Sequence, residues 1–227
     1  MATTDTYFDS TAREYDERTL RGLPRYLEML AQIAANLPDT ASDVLELGCG
    51  TGALTAIVAG RYPAGRITAI DASAQMIEVA KERLGGVGLL PNSGIEFQVS
   101  LFEDLHVAPE SFDLITANMS LHHLVDKAPF YARLRAALRA GGMLVFGDEL
   151  VGATPEIERR HWAAWLEFAR QPEHLSQAEI DDIVRHVEQF DHYETLPRQF
   201  KLLLAAGFAQ ADCTWRYLNY GVFVAVP

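Results

Sequence analysis

Val44-Leu45-Glu46-Leu47-Gly48-Cys49-Gly50-Thr51-Gly52 is the stretch on which the fold turns. Residues 44–47 read as a short buried strand, and the glycines stop it. Gly48, Gly50 and Gly52, at alternate positions, let the backbone turn tightly beside a ligand. The spacing is G-x-G-x-G, not the G-x-G-x-x-G of dinucleotide sites. No basic residue stands nearby for a pyrophosphate, and the loop lacks the Gly-Lys-Ser/Thr ending of a phosphate-binding loop. A nucleoside-like ligand held without its phosphates is the expectation. Asp71, at the end of the next apolar run (residues 67–70), is placed to accept hydrogen bonds from both hydroxyls of a ribose.

On either side the chain alternates between strand and helix patterns. Residues 7–37 look helical, with Leu27, Leu30, Ile33, Ala34 and Leu37 at helical spacing and Pro24 where a helix can begin. Residues 53–62 and a Ser73-capped segment with Ile77, Ala80 and Leu84 inward are the next helices. Residues 95–99 and 114–117 read as strands, 128–139 as a helix and 143–147 as a strand after Gly141-Gly142. Strands separated by helices of this length imply parallel pairing with right-handed crossovers.

After Leu150 the pattern changes. Residues 154–190 read as two helices divided by Pro172, one with Trp162, Trp165, Leu166 and Ala169 on a stripe, the other with Ile180, Ile183, Val184 and Val187. A last helix carries Leu196, Phe200, Leu203 and Leu204 inward, and two closing strands turn around Asn219. The expected fold is a Rossmann-like α/β three-layer sandwich. Its mostly parallel seven-stranded sheet has an antiparallel C-terminal hairpin strand and a helical insertion after the fifth strand. Residues 1–227 form one domain, with 1–37 a helical cap and 151–194 an insertion covering an acceptor site.

The 227 residues are 49% hydrophobic and 22% charged, ordinary for a globular protein with a sizeable core. A formal charge of −12 repels phosphate backbones, so no direct nucleic-acid partner is expected. Cys49 and Cys213 make no disulfide framework and lack metal-ligand spacing. No stretch has the length of a membrane span or the pattern of a secretory leader, so a cytoplasmic protein is the expectation. A homodimer is open to it.

The segment 46–52, followed by Asp71-Ala72-Ser73-Ala74-Gln75-Met76, closely resembles the first two motifs of class I S-adenosylmethionine-dependent methyltransferases. Glu103-Asp104-Leu105, Ser111-Phe112-Asp113-Leu114-Ile115, Ser120-Leu121-His122-His123-Leu124 and residues 138–144 follow in that family's order. The resemblance implies S-adenosyl-L-methionine as cofactor. By it, Gly48, Cys49, Gly50 and Gly52 pass beneath the methionine part and Glu46 orders the loop and the ammonium group. Asp71 takes the ribose, Ala72 and Met76 flank the adenine, the backbone near Phe102 and Glu103 reads its edge, and Asn118 lies by the methionine portion. Ser100 and Leu101 stand where the family often has glycine and an acid. The segment around Phe8, Asp9, Tyr15 and Asp16 is similar to the family's cap, and Tyr15 either closes over the ligands or packs with Phe8 into the core.

Implied function is methyl transfer to a small-molecule acceptor by in-line displacement. His192, His122 and Tyr193 are the candidate catalytic residues, with Glu149 a further candidate base. Cys49 is read as a small residue that fits its loop. Trp162 and Trp165 are core residues by default, and Arg159 and Arg160 are solvated or clamp a carboxylate. Adjacent histidines on a helix point apart, so no metal is expected at His122 and His123. The tail 206–220 and the insertion length are also similar to carboxy-S-adenosylmethionine synthases. Those enzymes place an arginine, for the cofactor's carboxylate, where this chain has Leu202, and a serine where it has Gly50. A third reading, a non-catalytic cofactor-binding module, sits poorly with an intact Asp71 and glycine loop.

Overall fold

The computed structural model describes residues 4–90 and 94–227, so residues 1–3 of the expected cap lie outside it. Seven strands lie side by side: β1 (Asp43–Leu47), β2 (Arg66–Asp71), β3 (Ile95–Val99), β4 (Phe112–Asn118), β5 (Leu138–Val151), β7 (Gln210–Tyr217) and β8 (Tyr220–Val226). Their order is β3-β2-β1-β4-β5-β8-β7, and the two-residue β6 (Glu194–Thr195) pairs with the end of β5. Pairing is parallel from β3 through β5, and β8 runs antiparallel to both its neighbours. The expected Rossmann-like architecture is the one found.

Strand alternation splits the core between the two faces of the sheet. Leu45, Leu47, Ile115, Leu144 and Phe146 pack with Phe130, Tyr131 and Leu134 of α6 (Lys127–Ala137) and Leu203 of α9 (Leu196–Ala205). Val44, Ile67, Leu114, Val145 and Val222 pack on the other face. Their partners are Met29, Leu30 and Ile33 of α3 (Tyr26–Asn36) and Leu54 and Val58 of α4 (Ala53–Arg61). Helix α5 (Ala74–Gly86) follows β2; Ser73 caps it by accepting the Met76 amide, and Ile77, Ala80 and Leu84 are buried as expected.

Several boundaries differ from the sequence reading. The stretch 7–37 is three helices, α1 (Thr4–Thr11), α2 (Tyr15–Gly22) and α3. Leu23 is extended (φ −106°, ψ 106°) because it precedes Pro24, which disfavours the helical region for the residue before it. Helix α3 then takes its phase from Tyr26, Met29, Leu30, Ile33 and Leu37, which leaves Leu27 exposed rather than inward. Leu204 is likewise half exposed, since Gln199, Leu202 and Leu203 form the buried side of α9. β5 starts at Leu138 rather than 143, paired with Phe112 across a register shift, so α6 ends at Ala137. β6 had no sequence signal.

The insertion is α7 (Pro155–Ala169) and α8 (Gln177–Phe190). The two expected stripes meet: Trp165, Ala169, Leu175 and Ile180 form a small core with Trp162, Leu166, Ile183 and Val184 against it. Thr154 and Ser176 cap the helices, Ser176 reciprocally with Glu179. This pair leans on the N-terminal helices. The Trp165 indole donates to the Gly22 carbonyl at 3.0 Å, Arg18 meets Asp182 at 2.6 Å and Arg21 meets Glu179 at 2.7 Å. Residues 7–22 and 155–190 therefore close over the same end of the sheet. Among the described residues no helix is long and apolar enough to cross a membrane.

Candidate functional site

Strand order reverses between β1 and β4, where a crevice opens at the strands' carboxyl ends. Two cavities occupy it and share Phe8, Tyr15, Met119 and His123 as a common wall.

The glycine loop builds the first cavity. Gly48 is left-handed (φ +65°), and a Cβ there would lie 2.4 Å from the Ser120 Cβ; Ser120 in turn donates to the Leu47 carbonyl at 2.9 Å. That glycine fastens the ends of β1 and β4. Gly50 is left-handed too (φ +52°), yet a Cβ there would meet nothing within 4 Å. Its missing side chain leaves open space in the cavity. Asp71 accepts the Gly50 amide at 2.8 Å on one oxygen and the Ser73 amide at 2.9 Å on the other. It thus shapes the loop from the neighbouring strand while lining the cavity. Thr51 donates to Asp16, so the cap is tied to the loop as well; sequence reasoning did not find that bond.

Glu46 alternates with Leu45 and Leu47, so it points to the opposite face of the sheet, where it is 1% exposed. Burial pushes its carboxyl up to about 8, and Asp71 adds to the rise. Its Oε2 and the Asn118 Oδ1 are buried acceptors without a partner, and both residues line the cavity. Asn118 donates its amide to the Tyr26 hydroxyl at 3.2 Å, which turns its oxygen inward.

Gly48, Cys49, Ala72, Met76, Phe102 and Glu103 line this cavity with them, as do Ser100 and Leu101; Gly52 does not. Gly52 (φ +81°) instead lets the start of α4 lie on α5, since a Cβ would fall 2.9 Å from Leu84. Cys49 is buried beside Ala69 and Ile77, and burial raises its thiol pKa well above the usual range, so it is a packing residue.

S-adenosylmethionine fits this chemistry. Two orphaned buried acceptors need N–H donors, which an ammonium supplies. Glu46, Asp71 and Glu103 line the cavity and would meet a cationic ligand, and no lysine or arginine lines it among the described residues to hold a phosphate.

The second cavity lies between the sheet end and the two covering segments, walled by Trp162, Trp165, Ile183, Val187 and Tyr220. Trp162 and Trp165 therefore serve both core and cavity wall. Phe8 and Tyr15, with ring centroids 6.0 Å apart, face the cavities rather than the core. Met119 holds a left-handed backbone (φ 53°) on the common wall, a strained conformation of the kind that gathers at ligand sites.

Polar groups gather at the floor. The His122 Nδ1 sits 2.5 Å from Asp148 Oδ1, and its ring is buried. Burial acts to lower its pKa, but Asp148, with help from Asp191 and Glu149, outweighs that and holds it at about 9. Burial pushes Glu149 up to about 8. The Tyr193 hydroxyl donates to Asp191 Oδ2 at 2.7 Å. His122, Glu149, Asp191 and Tyr193 all line the cavity.

His192 does not. Asp191 and Tyr193 turn inward, so in this extended stretch His192 points out and is exposed. Only its backbone is used: its N–H donates to the His122 carbonyl at 2.8 Å, and its carbonyl accepts from Lys127. His192 is withdrawn as a catalytic candidate. His122 and His123 also depart from expectation. They occupy a 3₁₀ turn (Leu121–His123), not an α-helix, and their ring centroids are 4.2 Å apart with both rings facing Asp191. Asp148 and His186 were missed by sequence reasoning; His186 is a polar residue on the inward stripe of α8 between Ile183 and Val187, and that placement was its signal. Arg159 and Arg160 are exposed and pair with Glu156 on their own helix.

A cavity of carboxylates and orphaned acceptors at the switch point of this sheet defines an α/β enzyme for a cationic nucleoside. A family profile described as a methyltransferase domain matches residues 45–144. The chain is 30% identical over 214 residues to the carboxy-S-adenosyl-L-methionine synthase of Chromohalobacter salexigens, covering 92% of this chain and 77% of that one. It is 34% identical over 148 residues to the O-methyltransferase cnsE of Penicillium expansum, covering 65% and 52%. Among solved structures, DhpI with bound SAH is similar at a TM-score of 0.67, with 22% identity over 98% of this chain and 94% of that one. The chain belongs to the class I S-adenosylmethionine-dependent methyltransferases. Its cofactor is S-adenosyl-L-methionine.

Proposed function

We propose that this enzyme transfers a methyl group to a small, largely apolar acceptor held in the cavity beneath α7 and α8. The observation that carries the reading is the common wall: Phe8, Tyr15, Met119 and His123 touch both cavities, so an acceptor in one faces a cofactor in the other. When bound, S-adenosylmethionine supplies an electrophilic methyl group on a good, neutral leaving group. The protein's part is alignment and exclusion of water. Trp162, Trp165 and Tyr220 hold the acceptor's apolar body, and the roof of residues 7–22 and 155–190 keeps water out. Glu149, at the floor, takes the proton of an acceptor hydroxyl or amine. Tyr193 and Asp191 orient the same end.

The test is formation of S-adenosylhomocysteine from labelled cofactor with a panel of aromatic alcohols and amines. Glu149→Gln is expected to lower kcat by about 10²–10⁴-fold, the usual worth of a general base, with cofactor affinity unchanged. Equal kcat in the variant removes Glu149 from that role. Failure of every acceptor to raise product formation overturns the reading.

A second reading, a carboxy-S-adenosylmethionine synthase, is favoured by relatives of that name matching over 90% of the chain at 25–30% identity. Against it stands Leu202, a core side chain 6% exposed where the resemblance calls for an arginine. Mass spectrometry of the nucleoside released on heating decides: a carboxylated cofactor favours this reading, and S-adenosylmethionine or its demethylated product favours the first.

A further inference from the structure

We propose that His122, His123 and Asp191, with His186 beside them, bind a divalent first-row transition ion at the floor of the acceptor cavity. The three residues each offer a ligand atom, all within 4.8 Å of one another. Asp191 Oδ1 is the hub, 3.0 Å from His123 Nδ1, 3.8 Å from His122 Nε2 and 3.6 Å from His186 Nε2. Atoms bound to one ion at about 2.0–2.2 Å each stand at such separations from one another.

Two observations separate this cluster from an ordinary hydrogen-bonded one. Asp191 Oδ1 and His123 Nδ1 are fully buried and 3.0 Å apart, yet their contact lacks the geometry of a well-formed hydrogen bond. A buried carboxylate oxygen ringed by imidazole nitrogens but held by no well-aligned donor is a place where a bound cation gains. The outer groups are also arranged as ligand holders. Asp148 takes the Nδ1 of His122 at 2.5 Å and leaves Nε2 turned to Asp191. Tyr193 takes Asp191 Oδ2 at 2.7 Å and leaves Oδ1 to the histidines. A carboxylate behind a ligating imidazole is the recurrent second layer of such sites.

Imidazoles with a carboxylate suit zinc, iron, cobalt or nickel rather than magnesium or calcium, which prefer oxygen alone. The cluster lines the acceptor cavity, so one position on the ion stays open to an oxygen or nitrogen of the acceptor. That role rests on the acceptor reading above; the binding of the ion does not.

The experiment is titration of the metal-stripped whole protein with Co²⁺, read by visible ligand-field absorption, with Zn²⁺ as competitor. A single equivalent that gains absorption and is displaced by Zn²⁺ is expected. His123→Ala and Asp191→Asn should each abolish the bands, and Asp148→Asn should weaken Co²⁺ binding by about 10–100-fold. A cooperative thermal melt, recorded alongside for all three, confirms that they are folded. Parent protein that takes up no Co²⁺, or His123→Ala and Asp191→Asn variants that bind it as the parent does, overturns the proposal. Neither result touches methyl transfer, which the acceptor panel tests separately.

Discussion

The Asp71 carboxylate, at the end of β2, accepts the amide of Gly50, in the loop after β1, at 2.8 Å, and so bends the cofactor loop from one strand away. Asp71→Ala leaves the Gly50 and Ser73 amides without their acceptor and deletes the expected ribose partner. Affinity for S-adenosylhomocysteine should fall by about 1–3 kcal/mol. Calorimetry measures it, and an unaltered affinity would refute the assignment.

Glu46 yields a proton-linked prediction. Its folded value of about 8 lies above the usual 4.5, so at pH 7 the free protein holds it mostly protonated. An ammonium placed against it restores the charged form, so cofactor binding at pH 7 should release a proton, and affinity should rise as pH climbs toward 8. Calorimetry in buffers of different ionisation heat reads the release, and Glu46→Gln should abolish it. For the free protein the sign is opposite. A raised carboxyl contributes its stability fully below 4.5 and loses it as pH rises through about 8. The melting temperature of Glu46→Gln should therefore gain on the parent's across that window.

Gly48 and Gly50, both left-handed, should fail differently. Gly48→Ala drives a Cβ into Ser120 and should cost more than the about 1–2 kcal/mol of the backbone conformation alone. Gly50→Ala meets open space and should cost about that much, yet it should weaken cofactor binding by narrowing the cavity. Thermal melts paired with a binding isotherm separate the two. A Gly50→Ala protein that binds normally would count against the cradle.

Beside the Trp165–Gly22 hydrogen bond, two partly exposed ion pairs tie the roof, Arg18–Asp182 and Arg21–Glu179. Pairs of this exposure are worth about 0–1 kcal/mol each. Arg18→Ala combined with Arg21→Ala should therefore lower the melting temperature only slightly while speeding cofactor dissociation several-fold. Stopped-flow release of S-adenosylhomocysteine checks this, and an unchanged rate would show that the roof does not gate the cavity.

The parallel strands and the cofactor loop were legible because both are marked locally. Short apolar runs mark buried strands, and a glycine triplet beside a strand has few other uses. Leu27 and Leu204 were misplaced because apolar spacing defines a stripe but not its phase, which Met29 and Leu203 set by packing on the sheet. The second cavity was barely legible. Its floor joins Asp148 on β5, the 3₁₀ turn after β4, His186 on α8 and the stretch before β6. His192 drew notice by composition; its inward neighbours Asp191 and Tyr193 show that direction in an extended segment, not residue type, decided the matter.

Arg18 and Asp182 are separated by 164 residues of chain. On the ribosome, the glycine loop and its strands emerge long before α8 does, so the cofactor half of the crevice can form while its cover has yet to be made. The aromatic rings of Phe8 and Tyr15 thus leave the ribosome well ahead of the late helices that shelter them.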